Sequence, residues 1–271
     1  MRPFVLVRGG GDLASGVVLR LHRIGIPVLV TELPQPLVVR RAVSFAQAVF
    51  DGECQVEEVH ARLVSTGSEI ETTWDDDIIP VMVSHHTDLI SGHSPLVLID
   101  ARMTKQPPGT ALDAAPFVIG LGPGFTAGAD CHAVIETQRG HRLGRVIWEG
   151  AAAADTGIPE TVAGMAAERV LRASAAGVFE TVVDIGALLV KGDLIARVGE
   201  QTLLAPFDGL LRGLLHPAIE VTAGQKVGDL DPRGAAVDWR LVSDKALSIA
   251  GGVMEALLSR PDIRRALWER S

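Results

Sequence analysis

Three stretches of this 271-residue chain combine residue types able to do chemistry. The first is Gly9-Gly10-Gly11-Asp12-Leu13-Ala14, a G-x-G-x-x-A turn between a short apolar run and a helical pattern. Glycines in such a turn let the backbone approach a diphosphate, and the first N–H groups of the helix bind it. Glu32 closes the next strand-like run, where a carboxylate would hold a ribose hydroxyl. Asp12 repels a phosphate unless it caps the helix or meets a hydroxyl, and a tight turn in an empty unit explains the same glycines. The second stretch is Gly120 to Gly128, Gly-Leu-Gly-Pro-Gly-Phe-Thr-Ala-Gly. Backbone amides around Gly122, Gly124 and Thr126 suit an anion-binding nest, and a crossover loop stiffened by Pro123 is the plainer alternative. The third is Asp130-Cys131-His132-Ala-Val-Ile-Glu136. Neighbours on a strand point to opposite faces, so Cys131 and His132 do not share a metal. His132 and Glu136 share a face, which suits a histidine steered by a carboxylate. Cys131, His132 and Glu136 are the candidate catalytic residues, Cys131 as a thiolate, with a small core residue as the plainer reading of it.

Two further groups carry less. His85, His86 and His93 lie near Asp88, but their spacing matches no familiar zinc pattern and they read as loop histidines. Asp100, Arg102 and Lys105 follow an apolar run, a place where a carboxylate and two cations suit an anionic ligand or a local salt-bridged turn.

The elements that must position these groups follow from hydrophobic patterning. Residues 4–7 read as a strand, 13–24 as a helix ended by Gly25, and 27–31 as a second strand, which makes one βαβ unit. A second helix is expected over 36–49. Short strands are expected at 56–65, 79–83 and 96–99, with Trp74-Asp75-Asp76-Asp77 as a polar turn. A strand enters the 120–128 loop, 131–137 and 143–148 form a hairpin, and Pro159 to Arg172 reads as an amphipathic helix. From about 175 the chain turns to short Val/Leu/Ile runs between glycines. Val190-Lys-Gly192-Asp193 and Val221-Thr-Ala-Gly224 form a weak repeat. Ser243-Asp244 caps a terminal helix, and Pro261 opens a final one. The expected fold is α/β, with a Rossmann-like N-terminal unit (1–175), a C-terminal β barrel-sandwich-like domain (176–235) and terminal helices packing back (236–271).

Composition narrows the classes. The chain has 29 Gly, 15 Pro, two Cys and no Tyr, and 25 Lys+Arg against 33 Asp+Glu give a formal net charge of −8. A mean hydropathy of +0.28 with 47% hydrophobic residues excludes disorder. The acidic balance argues against nucleic acid. Two separated cysteines are no disulfide framework, and no run approaches a membrane span, so a cytoplasmic setting without nucleic acid or membrane partners is expected. A homo-oligomer is compatible with this composition.

The β-rich region resembles the barrel-sandwich repeat of biotinyl and lipoyl carrier domains, but Gly199-Glu200-Gln201-Thr202 stands where a carrier presents its attachment lysine. Read together, Arg8-Gly-Gly-Gly-Asp-Leu-Ala-Ser-Gly, Val118-Ile-Gly-Leu-Gly-Pro-Gly-Phe-Thr-Ala-Gly, Cys131-His-Ala-Val-Ile-Glu-Thr, Gly228-Asp-Leu-Asp-Pro-Arg and Ser243-Asp-Lys-Ala occur in one order. This resembles the selenium-dependent molybdenum hydroxylase accessory proteins, the YqeB family, over nearly the whole chain. The resemblance implies a maturation factor with a molybdenum hydroxylase as partner, and the two glycine loops, each after a strand, add a phosphate-bearing small molecule as ligand. The candidate cofactors are a molybdopterin dinucleotide or NAD(P). Gly9, Gly10, Gly11, Asp12, Gly122, Gly124 and Thr126 would hold phosphates, Glu32 a ribose, and Cys131 and His132 the reactive end. The alternatives are an NAD(P)-dependent oxidoreductase, which would have to work without a tyrosine, and a non-catalytic docking scaffold.

Overall fold

A computed structural model describes residues 2–83, 94–104, 109–155, 157 and 161–268. His85, His86, His93 and Lys105 lie outside the described residues. The chain divides into two compact units, Met1–Pro36 with Ser44–Asp155 and Val242–Ser271, and Leu37–Val43 with Thr156–Leu241.

The first unit carries β1 (Val5–Arg8), α1 (Asp12–Arg23), β2 (Val28–Glu32), α2 (Ala48–Asp51), β3 (Glu53–Val56) and β4 (Val59–Leu63). Then come α3 (Gly67–Asp75), β5 (Ile79–Val83), β6 (Val97–Asp100), β7 (Phe117–Leu121), β8 (Thr126–Ala127), β9 (Ala133–Ile135), β10 (Val146–Ile147) and β11 (Gly150–Ala151). Nine of these strands form one sheet in the order β10-β9-β7-β6-β1-β2-β5-β4-β3. The central strands are parallel, and both edges end in an antiparallel pair. Val5–Arg8, Val28–Glu32 and Val97–Asp100 are nearly unbroken apolar runs closed by a polar residue, the signature of parallel strands covered on both faces. β1 is the pivot, because the chain leaves it for β2 on one side and pairs it with β6 on the other.

Helices cover the sheet by close approach. α1 is ended by Gly25 in a left-handed conformation and carries Arg20, His22 and Arg23 in its last turn, which suits the helix dipole. α3 starts on a full capping box, Thr66 with Glu69. Trp74 belongs to the last turn of α3, not to a polar turn, and its indole N–H donates to the Val28 carbonyl at 2.8 Å. α4 (Asp244–Leu258) begins at Ser243, whose hydroxyl accepts from the Ala246 N–H, and α5 (Pro261–Trp268) follows. α1 meets α4 where a Cβ on Gly16 would lie 2.6 Å from the Ala246 methyl.

The second unit holds β12 (Val170–Arg172), β13 (Gly177–Thr181), β14 (Leu188–Leu189), β15 (Leu194–Val198), β16 (Gln201–Leu204), β17 (Gly209–Leu214), β18 (Glu220–Val221) and β19 (Lys226–Asp231). They make two four-stranded sheets, β12-β19-β17-β14 and β16-β15-β13-β18, whose strand pairs are antiparallel. Phe179, Ile195, Leu211 and Val227 are fully buried. Arg212 is the extra residue of a β-bulge opposite β19 and is aimed at Asp229 and Asp231.

The expected Rossmann-like unit plus barrel-sandwich is therefore corrected. The first unit is built on one large mixed sheet, with β8 and β11 as a separate antiparallel pair, and among the described residues only α1 and α3 cross between parallel neighbours of the large sheet. Both edges are antiparallel pairs. Residues 161–175, expected in the N-terminal domain, go with the second unit because β12 pairs with β19. The helix expected over 36–49 is two 3-10 turns and the single turn α2. There the Phe45 and Ala46 N–H groups donate to Ser15 and Gly10 instead of to their own chain segment. The helix expected up to Arg172 is interrupted by left-handed Ala163 and Gly164, and it ends in a 3-10 turn and β12. Among the described residues no helix is long and apolar enough to cross a membrane.

Two adjacent glycines in α4 give a sharp test. A Cβ on Gly252 would lie 2.0 Å from the Gly144 carbonyl oxygen, whereas a Cβ on Gly251 meets nothing within 4 Å. Gly252→Ala is expected to destabilise by about 2 kcal/mol through overpacking. Gly251→Ala is expected to stabilise by roughly 0.5–1 kcal/mol through helix propensity. Urea midpoints of the two variants check this, and shifts of the same sign would contradict the α4 packing.

Candidate functional site at the carboxyl ends of β1, β6 and β7

Open parallel sheets bind ligands outside the carboxyl ends of their strands, where the strand order reverses. Here that place is the end of β1 and β6, where Arg8 and Asp100 stand side by side in register. Asp100 is 0% exposed. A buried carboxylate must be met by donors, and Asp100 is met by three groups. The Arg102 guanidinium grips it with Nε at 3.0 Å and Nη2 at 2.5 Å. The Arg102 backbone N–H reaches Oδ1 at 3.2 Å. The Thr110 hydroxyl donates to Oδ2. Thr110 Oγ1 in turn accepts from Arg8 Nη1 at 3.3 Å and from Arg102 Nη2 at 3.1 Å.

Arg102 thus pairs with Asp100 directly, and Arg8 is linked to it through the Thr110 hydroxyl. The carboxylate holds the Arg102 guanidinium firmly in its charged form, raising its pKa through the hydrogen bond. Half-buried Arg8 goes the other way. Burial lowers its pKa most, Asp100 opposes this, and the Arg102 charge lowers it further. Among the described residues the one hydrogen bond of the Arg8 side chain is to Thr110.

Both glycine-rich stretches converge on the turn after β6. A Cβ on left-handed Gly9 would lie 3.2 Å from the Ala101 carbonyl oxygen and 3.3 Å from Arg102 Cα. A Cβ on Gly122, also left-handed, would lie 2.4 Å from Thr137 Oγ1 and 3.2 Å from Met103 Cε. The sequence stretches around Gly9, Arg102 and Gly122 therefore meet at one edge.

The space over the first glycine turn is filled by the chain itself. The Ala46 N–H donates to the Gly10 carbonyl at 3.0 Å. Ser15 Oγ donates to the same carbonyl and accepts from the Phe45 N–H. The Gly10 N–H, the donor a diphosphate would take, instead reaches Glu32 Oε1 at 2.7 Å, and Glu32 Oε2 accepts from Leu33 N–H at 2.8 Å. Burial raises the Glu32 pKa, and these two N–H bonds oppose that rise. Half-buried Asp12 turns one oxygen to the Leu13 N–H at the start of α1, and Gly11 is the helix N-cap. Gly9, Gly10, Gly11, Asp12 and Glu32 thus form a packed corner. In the second loop, Gly120 lacks a Cβ where the Phe125 ring lies, and left-handed Gly124 turns the chain. Exposed Thr126 sits in β8, with its N–H on Asp130.

The candidate catalytic residues are not brought together. Cys131 is fully buried in an apolar cluster with Leu98, Val118 and Val134. Burial pushes its thiol up to about 11. His132 Nδ1 accepts the Val118 N–H at 3.0 Å, which places the ring proton on Nε2. Its pKa is lowered, first by burial and then by Arg260. Glu136 binds the Gln138 N–H at 2.7 Å and the Ala153 N–H at 2.8 Å. His132 and Glu136 flank opposite ends of β9, about 13 Å apart at the usual strand rise. Among the described residues no group of three His, Cys, Asp or Glu side chains is arranged to hold a metal. Reading the sequence missed Arg8 and Thr110. A cation closing an apolar strand just before a glycine turn was the available signal for Arg8. Thr110 had none.

A thiol raised this far is slow to react below its pKa. At pH 8, iodoacetamide is expected to modify Cys131 in the folded protein about a hundredfold more slowly than in unfolded protein, with the rate rising as pH rises. Peptide mass spectrometry reads this, and alkylation at the free-thiol rate would restore Cys131 as a reactive group.

No protein-family model matches the chain. Over 254 residues, 94% of this chain, it is 50% identical to a protein of Escherichia coli (strain K12) named uncharacterized protein YqeB. This chain spans about half of that relative, 47% of its length. The resemblance to YqeB is thus supported by sequence, and the relative's name carries no accessory role. The solved structures that the chain matches are of another kind. One is an aspartoacylase family protein from Mesorhizobium loti, with a TM-score of 0.28 and 13% identity over 85% of each chain. A succinylglutamate desuccinylase from Silicibacter sp. TM1040 gives a TM-score of 0.25 and 13% identity over 84% of each chain. A succinylglutamate desuccinylase/aspartoacylase from Rhodobacter sphaeroides gives 0.26 and 15% over 84% of this chain and 85% of that one. These are neither maturation factors nor oxidoreductases, and at such TM-scores the likeness assigns no activity to this chain. Against these neighbours the expected selenium and molybdenum hydroxylase maturation role does not stand, nor does its oxidoreductase alternative.

Proposed function

We propose that this chain binds a phosphate-bearing small molecule at the carboxyl edge of its large sheet, with Arg8 and Arg102 as the anion ligands. The observation that supports this most is Arg8, half-buried at the reversal of strand order beside the Asp100–Arg102 pair, with a single side-chain hydrogen bond among the described residues, to Thr110. Arg102 is committed to Asp100 through two of its nitrogens and holds the carboxylate beside Arg8. Arg8 has a single hydrogen bond among the described residues and offers most of its donors. Guanidiniums present paired N–H groups that match phosphate oxygens. The Thr110 hydroxyl fixes the spacing of the two arginines. A local cation pair of this kind lets a chain of net charge −8 hold an anion without any overall positive field.

Calorimetric titration with inorganic phosphate tests the reading. Wild-type protein is expected to bind phosphate with an affinity that falls as ionic strength rises. Arg8→Ala is expected to weaken it by about 30-fold, the loss of one charge-assisted contact. Arg8 is the informative position, because removing Arg102 also uncovers Asp100. Unchanged phosphate affinity in Arg8→Ala would overturn the reading.

A further inference from the structure

A cleft of about 870 Å³ opens at the amino-terminal end of the large sheet, where α1 and α3 both finish beside β3 and β4. Its volume is that of a small-molecule site, about 300–1,000 Å³. The cleft lies at the opposite end of α1 from Arg8 and is independent of the arginine seat. We propose that it binds a small organic cation bearing ammonium groups, with Asp77 and Glu53 as the carboxylate ligands.

Four carboxylates and two guanidiniums line the cleft. Both guanidiniums are ion-paired. Arg23 grips Glu58 with Nε at 2.6 Å and Nη2 at 2.8 Å, and it reaches Glu57 at 2.7 Å. Arg62 pairs with Asp76 at 3.2 Å. Glu53 stands opposite Arg62 in the β3–β4 register, and among the described residues it has no ion pair or side-chain hydrogen bond. Among the same residues Asp77 meets one group, the His22 imidazole, with Nε2 3.6 Å from Oδ1. Two carboxylates are thus left to the cleft, and no guanidinium is left to answer them.

The ends of the two helices give the same sign. Both close on one hydrogen-bond pattern. At α1 the Gly25 N–H donates to the His22 carbonyl and the Ile26 N–H to the Leu21 carbonyl. At α3 the Asp77 N–H donates to the Trp74 carbonyl and the Ile78 N–H to the Thr73 carbonyl. α1 suits a helix carboxyl end, with glycine in the left-handed position and Arg20, His22 and Arg23 in the last turn. α3 does the reverse. Asp77 takes the left-handed position, and no basic residue lies in the last turn. A carboxylate there adds to the negative end of the helix dipole, a charge that a bound cation offsets. Among the described residues no three His, Cys, Asp or Glu groups are arranged to hold a metal ion. The ligand class is therefore an ammonium-bearing molecule, for which a cleft of this size has room, and not a bare metal ion.

Titration calorimetry of the full chain with putrescine, a four-carbon diamine, tests the proposal, with magnesium as the bare-cation arm. Wild-type protein is expected to bind putrescine with an affinity that falls as ionic strength rises. Asp77→Asn and Glu53→Gln are each expected to weaken it about tenfold, the loss of one charge-assisted contact. Asparagine tolerates the left-handed backbone. Asp77→Asn is therefore expected to melt no lower than wild-type protein, because it removes a charge from the unfavourable end of α3. No putrescine binding to wild-type protein, or binding that both variants leave unchanged, overturns the proposal. Magnesium binding more tightly than putrescine and lost in the same two variants makes this an ion site and overturns the ligand class. A melting temperature of Asp77→Asn well below that of wild-type protein shows that Asp77 serves the fold and overturns its place as a ligand.

Discussion

A carboxylate with no solvent exposure, Asp100, sits at the carboxyl end of the central strands, and the rest of the edge is arranged around its desolvation. Removing a carboxylate from water costs several kcal/mol unless charge and hydrogen bonds replace the lost hydration. Arg102 does this with its side chain and its own backbone N–H, which folds the 100–103 segment into a tight turn. Met103 completes that turn in a left-handed conformation, a strain of about 1 kcal/mol for a residue with a Cβ. The turn then serves as the surface on which two other turns pack, Gly9 from β1 and Gly122 from β7. Strand register sets Arg8 beside Asp100, and among the described residues its side chain makes one hydrogen bond, to Thr110.

The glycines in this edge are there for approach between chain segments. Gly9 lies against the 101–102 backbone, Gly10 against Ala46, Gly120 under the Phe125 ring and Gly122 against Thr137. At Gly10, Gly120 and Gly122 the contact is too close for a Cβ, and at Gly9 a Cβ would be tight on a left-handed backbone. A glycine-rich turn before a helix therefore has two physical origins, an approaching phosphate or an approaching chain. At Gly10 the chain itself supplies the neighbour.

Much of the first unit was legible in the sequence because buried parallel strands declare themselves as apolar runs. β5 at Ile79–Val83, α1 up to Arg23 and the Ser243 cap of α4 all follow from local pattern. Tertiary hydrogen bonding was not legible. The 36–49 segment has helical apolar spacing, yet its amides are drawn to Gly10 and Ser15, partners far away in sequence. The site was legible in part for the same reason. Asp100, Arg102 and the glycine loops announce themselves by residue type, and strand order alone decides that they meet. Thr110 reaches Asp100 only through a connection that no local rule fixes. Cys131, His132 and Glu136 were attractive by type, and burial, a backbone acceptor role and two backbone donors account for them one by one.

The central claim is that the anion seat lies between Arg8 and Arg102 and not over the Gly9–Gly11 turn. A crystal structure of the protein grown with saturating inorganic phosphate tests it most directly. The account predicts a tetrahedral anion within hydrogen-bond distance of both guanidiniums, with the Glu32 carboxylate still on the Gly10 N–H. Phosphate seated on the Gly10 amide, with Glu32 displaced, would contradict it.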